Sequence, residues 1–360
     1  MNKPIATPRK NNRSLLRCPV CLEALEVATG LDFRCTACTR SYPQLGLYND
    51  LFVNARSSLT YPSNLRHLYY SYDKLIELAP PPTSFWDKLL GRADFNRQWE
   101  QDLVALKETV RQAGCCERGR VEFMKDDENS PDYEHQRREV CVKARKIMHR
   151  VLAYMPSGQP GGRVLHVGCG GRCNDGIPIA YAAAGFENHG VDAVRSYVEE
   201  FLDYGHAQLA NALALPYADA CFDVVNYTDI LEHLFDPLGG LVEAVRVLKP
   251  GGLLILDTPN RAYINRSSAM SYAEYFLGKV FPSTLRRRLI TAKWDGETFF
   301  HTEFQGSELR LLLKEVGVSL LSQDNETFDP IELEGIGQRP SLLRQLTPTS
   351  SWFVLCRKPS

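Results

Sequence analysis

The sequence predicts an α/β protein, with helices flanking a largely parallel sheet and a small cysteine-bearing module ahead of it. Three observations carry this expectation. From Gly161 onward, short apolar stretches alternate with segments of helical pattern, the arrangement that βαβ units require. The first of these stretches, Val164 to Val167, runs straight into Gly168 and Gly170, which allow a tight turn and close backbone approach to a ligand. Near the start, two Cys-x-x-Cys pairs stand 13 residues apart.

The 360 residues exceed one average domain, and a hydrophobic content of 44% is enough for a packed core. With 42 basic and 43 acidic side chains, no global field recruits nucleic acid or an anionic membrane. The opening MNKPIATPRKNNRSLLR is basic, but no apolar stretch follows it, which argues against a secretory signal. No apolar run reaches the length of a bilayer span. These features lead us to expect a soluble, cytoplasmic protein. In that setting eleven cysteines point to metal binding or buried thiols rather than disulfides. Three regions are expected. Residues 1–50 form the cysteine module. Residues 51–155 form a mostly helical cap or linker, broken at Pro80–Pro82 and by KDDENSPD at 125–132. Residues 156–360 form the α/β domain.

Cys18 with Cys21, and Cys35 with Cys38, form two knuckles able to set four thiolates tetrahedrally around a structural zinc ion. The intervening LEALEVATGLDFR suits a hairpin turning near Thr29 and Gly30. So small a module has little core of its own and is expected to need the metal to fold. The plain alternative is four unrelated thiols. Cys115, Cys116, Cys141, Cys169, Cys173, Cys221 and Cys356 show no such pairing.

Within the α/β part, Asp192 stands at the tip of the second strand, 24 residues after Gly168. An acid there can accept hydrogen bonds from both hydroxyls of a ribose, or it can be an ordinary loop aspartate. Asn211 follows the third strand, where its amide suits the edge of an adenine. A dinucleotide fingerprint is poorly met, because Cys173 stands where a glycine or alanine is wanted. After the strand from Phe222 comes YTDILEHLFDP. A helix starting there would place Asp229, Glu232 and His233 on one face, at positions i, i+3 and i+4.

Taken in this order, VGCGG, VDAV, ANALALPYADACFD and RVLKPGG resemble the Rossmann-like S-adenosylmethionine-dependent methyltransferases. The likeness is close over about residues 160–260 and looser over 300–357. It implies a seven-stranded sheet of order 3-2-1-4-5-7-6, with the last strand antiparallel and ligands at the strands' carboxyl ends. It also implies S-adenosylmethionine as cofactor. Gly168, Cys169 and Gly170 would line its methionine part, Asp192 would hold the ribose, Asn211 and the Ala212 amide would meet the adenine, and Thr228 would border the site. Two positions depart from the pattern: His166 stands where the family has an acid, and Arg172 where it has a third glycine. HTEF at 301–304 resembles the H-x-x-F segment of the ubiquinone-type O-methyltransferases. Those enzymes and the small-RNA 2′-O-methyltransferases gather an E-x-x-E-H and a distant histidine around a divalent metal. By that likeness Asp229, Glu232, His233 and His301 would hold Mg2+ or another divalent ion, which would orient an acceptor hydroxyl and lower its pKa. Without metal, His233 or His301 would serve as general base, or the group would only shape the pocket. CTRSYPQLGLYNDLF resembles the zinc-ribbon modules attached to some methyltransferases, ribosomal-RNA enzymes among them.

The function expected first is methyl transfer to a small-molecule acceptor, on oxygen, in quinone, lipid-linked or secondary metabolism. The segment at about 260–300 is long for a connection and rich in aromatic residues, which suits a lid over an apolar acceptor. Arg286, Arg287 and Arg288 within it read as a solvated helix face. The helical region would cap the pocket or make homodimer contacts. An RNA methyltransferase with the ribbon gripping RNA comes second. Residues 1–60 carry eight Lys or Arg against four Asp or Glu, a modest footprint for that role. A non-catalytic protein that no longer holds cofactor comes third, supported only by His166 and Arg172.

Overall fold

The computed structural model describes residues 12–53, 61–69, 100–108, 133–155, 161–170, 175–260, 291–294, 297–326 and 351–360. Arg172, Cys115, Cys116, Cys173, Pro80–Pro82, the run 125–132, Arg286–Arg288 and nearly all of the expected lid lie outside the described residues.

The cysteine module is built from strands too short to stand alone. β1 (Leu25–Val27), β2 (Phe33–Cys35) and β3 (Ser41–Tyr42) form a three-stranded antiparallel sheet. The β1–β2 hairpin turns at Gly30, whose φ of +81° is one that residues with a side chain seldom adopt. β4 (Gln44–Leu45) and β5 (Tyr48–Asn49) make a second small hairpin.

The long helix α1 (Tyr133–Tyr154) leads into the α/β part. There β6 (Arg163–Val167), α2 (Gly176–Ala183), β7 (Glu187–Asp192), α3 (Arg195–Phe201), β8 (His206–Leu209), β9 (Phe222–Thr228), α4 (Pro237–Val247) and β10 (Leu248–Pro259) alternate. A hairpin of β11 (Thr291–Trp294) and β12 (Glu297–Phe300) follows, then α5 (Gly306–Glu315), β13 (Ser319–Glu326) and β14 (Ser351–Arg357). The strands lie in the order β8-β7-β6-β9-β10-β14-β13, and β14 runs against both its neighbours. The central strands are buried along most of their length because helices cover both faces.

One face packs Val164, Val224, Ile255 and Phe353 against Ile177 and Tyr181 of α2 and Ala144, Ile147 and Val151 of α1. The other packs Leu165, Val225, Tyr227 and Leu254 against Leu241 and Val247 of α4 and Leu309 and Leu312 of α5. This second core does not end at the α/β part. Cys18, Phe33, Cys35, Tyr42, Leu51, Tyr61, Leu65 and Leu68 belong to it. The cysteine module therefore shares the main core instead of relying on a small one of its own.

Candidate functional site

β6 delivers the chain to Gly168 and Gly170, with φ of +66° and +67°. The amides of Gly168 and Cys169 donate to the Val191 carbonyl at 2.9 and 3.1 Å, which lashes the turn to β7. A Cβ on Gly168 would lie 2.6 Å from the Ile230 side chain, so the position has room for glycine alone. At the end of β7, Asp192 is buried. Its Oδ2 accepts from the Gly170 amide at 3.1 Å and its Oδ1 from the Val194 amide at 2.9 Å. Each carboxylate oxygen carries two lone pairs, so both can also accept from ligand hydroxyls. A glycine cradle beside an oriented acid fits a ribose-bearing cofactor. Cys169 contributes packing: burial pushes its thiol well above the ordinary range, so it stays neutral.

Two predicted residues have different surroundings from those expected. The Asn211 side chain is committed at both ends. Its Oδ1 accepts from the Leu213 amide at 2.9 Å, and its Nδ2 donates to the Val53 carbonyl at 3.0 Å. It shapes the turn that carries Ala212 and ties that turn to the N-terminal region. His166 is buried, with Nε2 3.0 Å from Asn188 Oδ1 and its ring against Tyr181 and Phe201. Burial brings it down to about 4, so it is a neutral core residue at physiological pH. Thr228 is half-buried, its hydroxyl accepting from Asn226 Nδ2 at 2.9 Å.

The rim at the carboxyl ends of β9 and β10 corrects one expectation. No helix starts at Asp229. That residue takes the left-handed region with φ of +51°, and its amide donates to the Asp257 carbonyl at 2.9 Å. A single 3-10 turn spans Leu231–His233, and α4 begins only at Pro237. Asp236 caps that helix by accepting from the Gly239 amide at 2.7 Å, and proline at the first helical position sets the entry. Asp229, Glu232 and His233 therefore share a loop and not a helix face.

A lysine absent from the sequence-based site organises this rim. Lys143 of α1 places Nζ 2.5 Å from Asp229 Oδ2 and 2.6 Å from Asp257 Oδ2. The Asp257 side chain is fully buried, while that of Asp229 is 46% exposed. Burial pulls the ammonium down, but the two carboxylates outweigh it and hold Lys143 charged. The signal for it lay in α1, where Lys143 interrupts the apolar stripe of Val140, Ala144, Ile147 and Val151. Glu232 is buried and accepts from the Thr258 hydroxyl at 3.0 Å. Burial, followed by the charge of Asp229, raises its carboxyl well above the usual range and keeps it neutral.

His233 Nδ1 lies 3.1 Å from the Phe300 carbonyl, which can only accept, so the proton sits on Nδ1. Nε2 becomes the ring's acceptor nitrogen, 4.0 Å from Glu232 Oε1. The His301 ring lies 5.3 Å from that of His233, and the Thr302 amide donates to the Glu232 carbonyl at 2.8 Å. The HTEF segment is thereby pinned to the LEH turn.

Asp229, Glu232, His233 and His301 share this rim without converging as ligands. Among the described residues, one group of His, Cys, Asp and Glu brings its ligand atoms within 4.8 Å of one another: Cys18, Cys21, Cys35 and Cys38. With Asp229 engaged by an ammonium and the four side chains not gathered within 4.8 Å of one another, the rim as it stands is not set for a divalent cation. The cysteine quartet does fit zinc. Cys18 and Cys38 sulfurs lie 3.6 Å apart and those of Cys21 and Cys35 3.4 Å apart, and the Ala37 and Cys38 amides point at Cys35 Sγ, each at 3.4 Å.

Residues 133–323 match the family model for a methyltransferase domain. The ubiquinone biosynthesis O-methyltransferase of Maricaulis maris is 30% identical over 181 residues, covering 48% of this chain and 64% of that protein. The enzyme of the same name from Ruegeria pomeroyi is 33% identical over 181 residues, covering 48% and 65%. The chain thus spans just under two thirds of the length of these relatives. A solved SAM-dependent methyltransferase from Methanosarcina mazei is 20% identical, covers 59% of this chain and 97% of its own, and has a TM-score of 0.42. No helix among the described residues is long and apolar enough to cross a membrane. Since the family match takes in more than half of the chain, from α1 through the glycine turn and the rim to β13, the chain belongs to the methyltransferase-domain family.

Proposed function

We propose that the protein transfers a methyl group from S-adenosylmethionine to a hydroxyl of a small aromatic acceptor, of the quinone-precursor type that the relatives' names suggest. The observation that carries this is the set of His233: a ring with its tautomer fixed and Nε2 as acceptor, on the loop whose Ile230 packs over the glycine turn. When bound, S-adenosylmethionine supplies a methyl already activated on a sulfonium. The protein's part is then alignment and removal of the acceptor's proton. The backbones of Gly168 and Gly170 receive the methionine end, Asp192 the ribose hydroxyls and the Ala212 amide the adenine. Thr228 borders the pocket. His233 Nε2 takes the hydroxyl proton in the step, a role worth about 10²–10⁴-fold in rate. Lys143 holds Asp229 and Asp257 in place, so charge at the rim comes from the protein's own ammonium. Phe235 and Phe300 stack on each other at 4.3 Å and are buried, which firms the segment whose carbonyl holds His233. Zinc in the cysteine quartet is structural.

The test uses full-length protein, radiolabelled S-adenosylmethionine, and separate tubes of hydroxylated small-molecule extract and RNA, with no added Mg2+. Label in the organic-soluble fraction is the expected result. Label in RNA would overturn the acceptor class, and failure to label either while also failing to bind S-adenosylhomocysteine would overturn the activity.

A further inference from the structure

The cysteine module grips one segment of the α/β part from two directions. On one side, the Arg17 amide donates to the Pro216 carbonyl at 3.0 Å and the Ala218 amide to the Leu15 carbonyl at 2.9 Å, around a Leu16–Tyr217 bridge. On the other, the stretch 49–53 joins the open edge of the seven-stranded sheet. Asp50 pairs in parallel with Leu209, the Leu51 amide donates to the Leu209 carbonyl at 2.9 Å, and the Asn49 amide donates to Gln208 Oε1 at 3.0 Å. Beyond it, the Val53 carbonyl takes the Asn211 side-chain amide. Tyr48 adds a link to α3, donating to Glu199 Oε1 at 3.0 Å and accepting from Arg195 Nε at 3.1 Å.

The segment held between these grips, 208–218, carries Asn211 and Ala212. Cys18 and Cys21 follow the first grip directly, and Cys35 and Cys38 lead by way of β3, β4 and β5 to the second. A metal bound by all four sulfurs therefore cross-links the two grips. Cys18, Cys35, Tyr42 and Leu51 are also buried in one core, so slack at the cysteines reaches the sheet edge through packed side chains.

We propose that this module is a built-in brace for the cofactor site, and that zinc at Cys18, Cys21, Cys35 and Cys38 tightens cofactor binding by fixing the 208–218 segment through both grips. The inference rests on the reading above that Ala212 faces the adenine. It differs from a zinc that serves folding alone by requiring reciprocity. If zinc raises cofactor affinity, cofactor raises zinc affinity by the same factor.

The experiment measures S-adenosylhomocysteine binding by calorimetry on full-length protein, zinc-loaded and then zinc-stripped, with zinc content assayed in parallel. Stripping is expected to weaken binding about tenfold, zinc re-addition to restore it, and saturating S-adenosylhomocysteine to raise zinc affinity, measured at equilibrium against a competing chelator, by the same factor, about 1.4 kcal/mol of coupling. Two zinc-loaded variants keep the proposal falsifiable if the stripped protein unfolds. Gln208→Ala and Tyr48→Phe each loosen one link of the second grip while leaving the cysteines and core in place, and each is expected to weaken binding about threefold with full zinc content. Unchanged affinity in both variants, or in a folded zinc-stripped protein, would overturn the brace while leaving the cofactor reading intact. If zinc-loaded wild-type protein fails to bind S-adenosylhomocysteine at all, the cofactor reading falls, and the brace with it.

Discussion

His233 owes its chemistry to the carbonyl that its Nδ1 faces. Because the Phe300 carbonyl holds Nδ1–H, the other nitrogen is left as the basic one. Replacing His233 with alanine should lower kcat about 10²-fold or more while S-adenosylhomocysteine affinity stays as in wild type, read by steady-state kinetics beside calorimetry. His166 illustrates the opposite case, a histidine spent on packing. Its folded value of about 4 lies below the ordinary 6.5. Between those two values the unfolded chain binds more protons than the folded one, so stability falls as pH drops through that window. For a fully buried group the ceiling on this loss is about 3 kcal/mol. Urea unfolding of wild type and His166→Gln should show the wild type losing stability faster than the variant between pH 6.5 and 4.

The elements meet most sharply where α1 crosses the ends of β9 and β10. One ammonium there neutralises two carboxylates, and Asp257 has no solvent exposure to fall back on. Lys143→Met would leave those charges facing each other, at a cost of about 3–5 kcal/mol, because a buried ion that has lost its partner retains its full desolvation penalty. Asp257→Asn made in the same chain should recover part of the loss. A double-mutant cycle by denaturant unfolding measures both, and simple additivity of the two changes would refute the pairing. The same junction explains the backbone of Asp229. The Asp257 carbonyl takes its amide and Lys143 its carboxylate, which together hold a left-handed residue that isolated sequence would avoid.

At the scale of the whole molecule, one core among the described residues runs from Cys18 and Cys35 to α5. Leu51, Leu65 and Leu68 are fully buried in it. Burying one leucine is worth about 1.5–3 kcal/mol, so these three alone reach the scale of the ~5–15 kcal/mol that keeps an ordinary domain folded. Tyr61 adds a polar tie at the start of α4, donating to Asp236 Oδ1 at 2.5 Å and accepting from the Leu238 amide at 2.9 Å. Deleting residues 1–69 should therefore yield an α/β part that is insoluble or binds a hydrophobic dye. A soluble remainder with a cooperative urea transition like that of the full chain would show that the two regions are independent.

Several features were written locally and could be read without a fold. The apolar runs of β6, β9 and β10 mark strands covered on both faces. Gly168 and Gly170 mark a turn with positive φ, and the knuckle spacing alone announces four sulfurs that meet. These are matters of periodicity, of backbone freedom and of short loops, which a chain decides within a few residues. The rest was settled at a distance. Asp229, Glu232 and His233 stand at helical spacing, yet Lys143, 86 residues away, and Asp257 hold Asp229, while Thr258 and Phe300 hold the other two, in a loop. Asn211 has the right chemistry for an adenine edge, but that its Nδ2 also ties the turn to the Val53 carbonyl could not be read locally. Residues 1–50 read as a separate module, yet the described part of it, with 51–53, extends the sheet edge and the core. The physical reason is common to all three. A buried charge or polar group must find a partner to offset its desolvation, and a sheet edge and an apolar face must be covered, and which part of the chain does so is decided only when the molecule closes on itself.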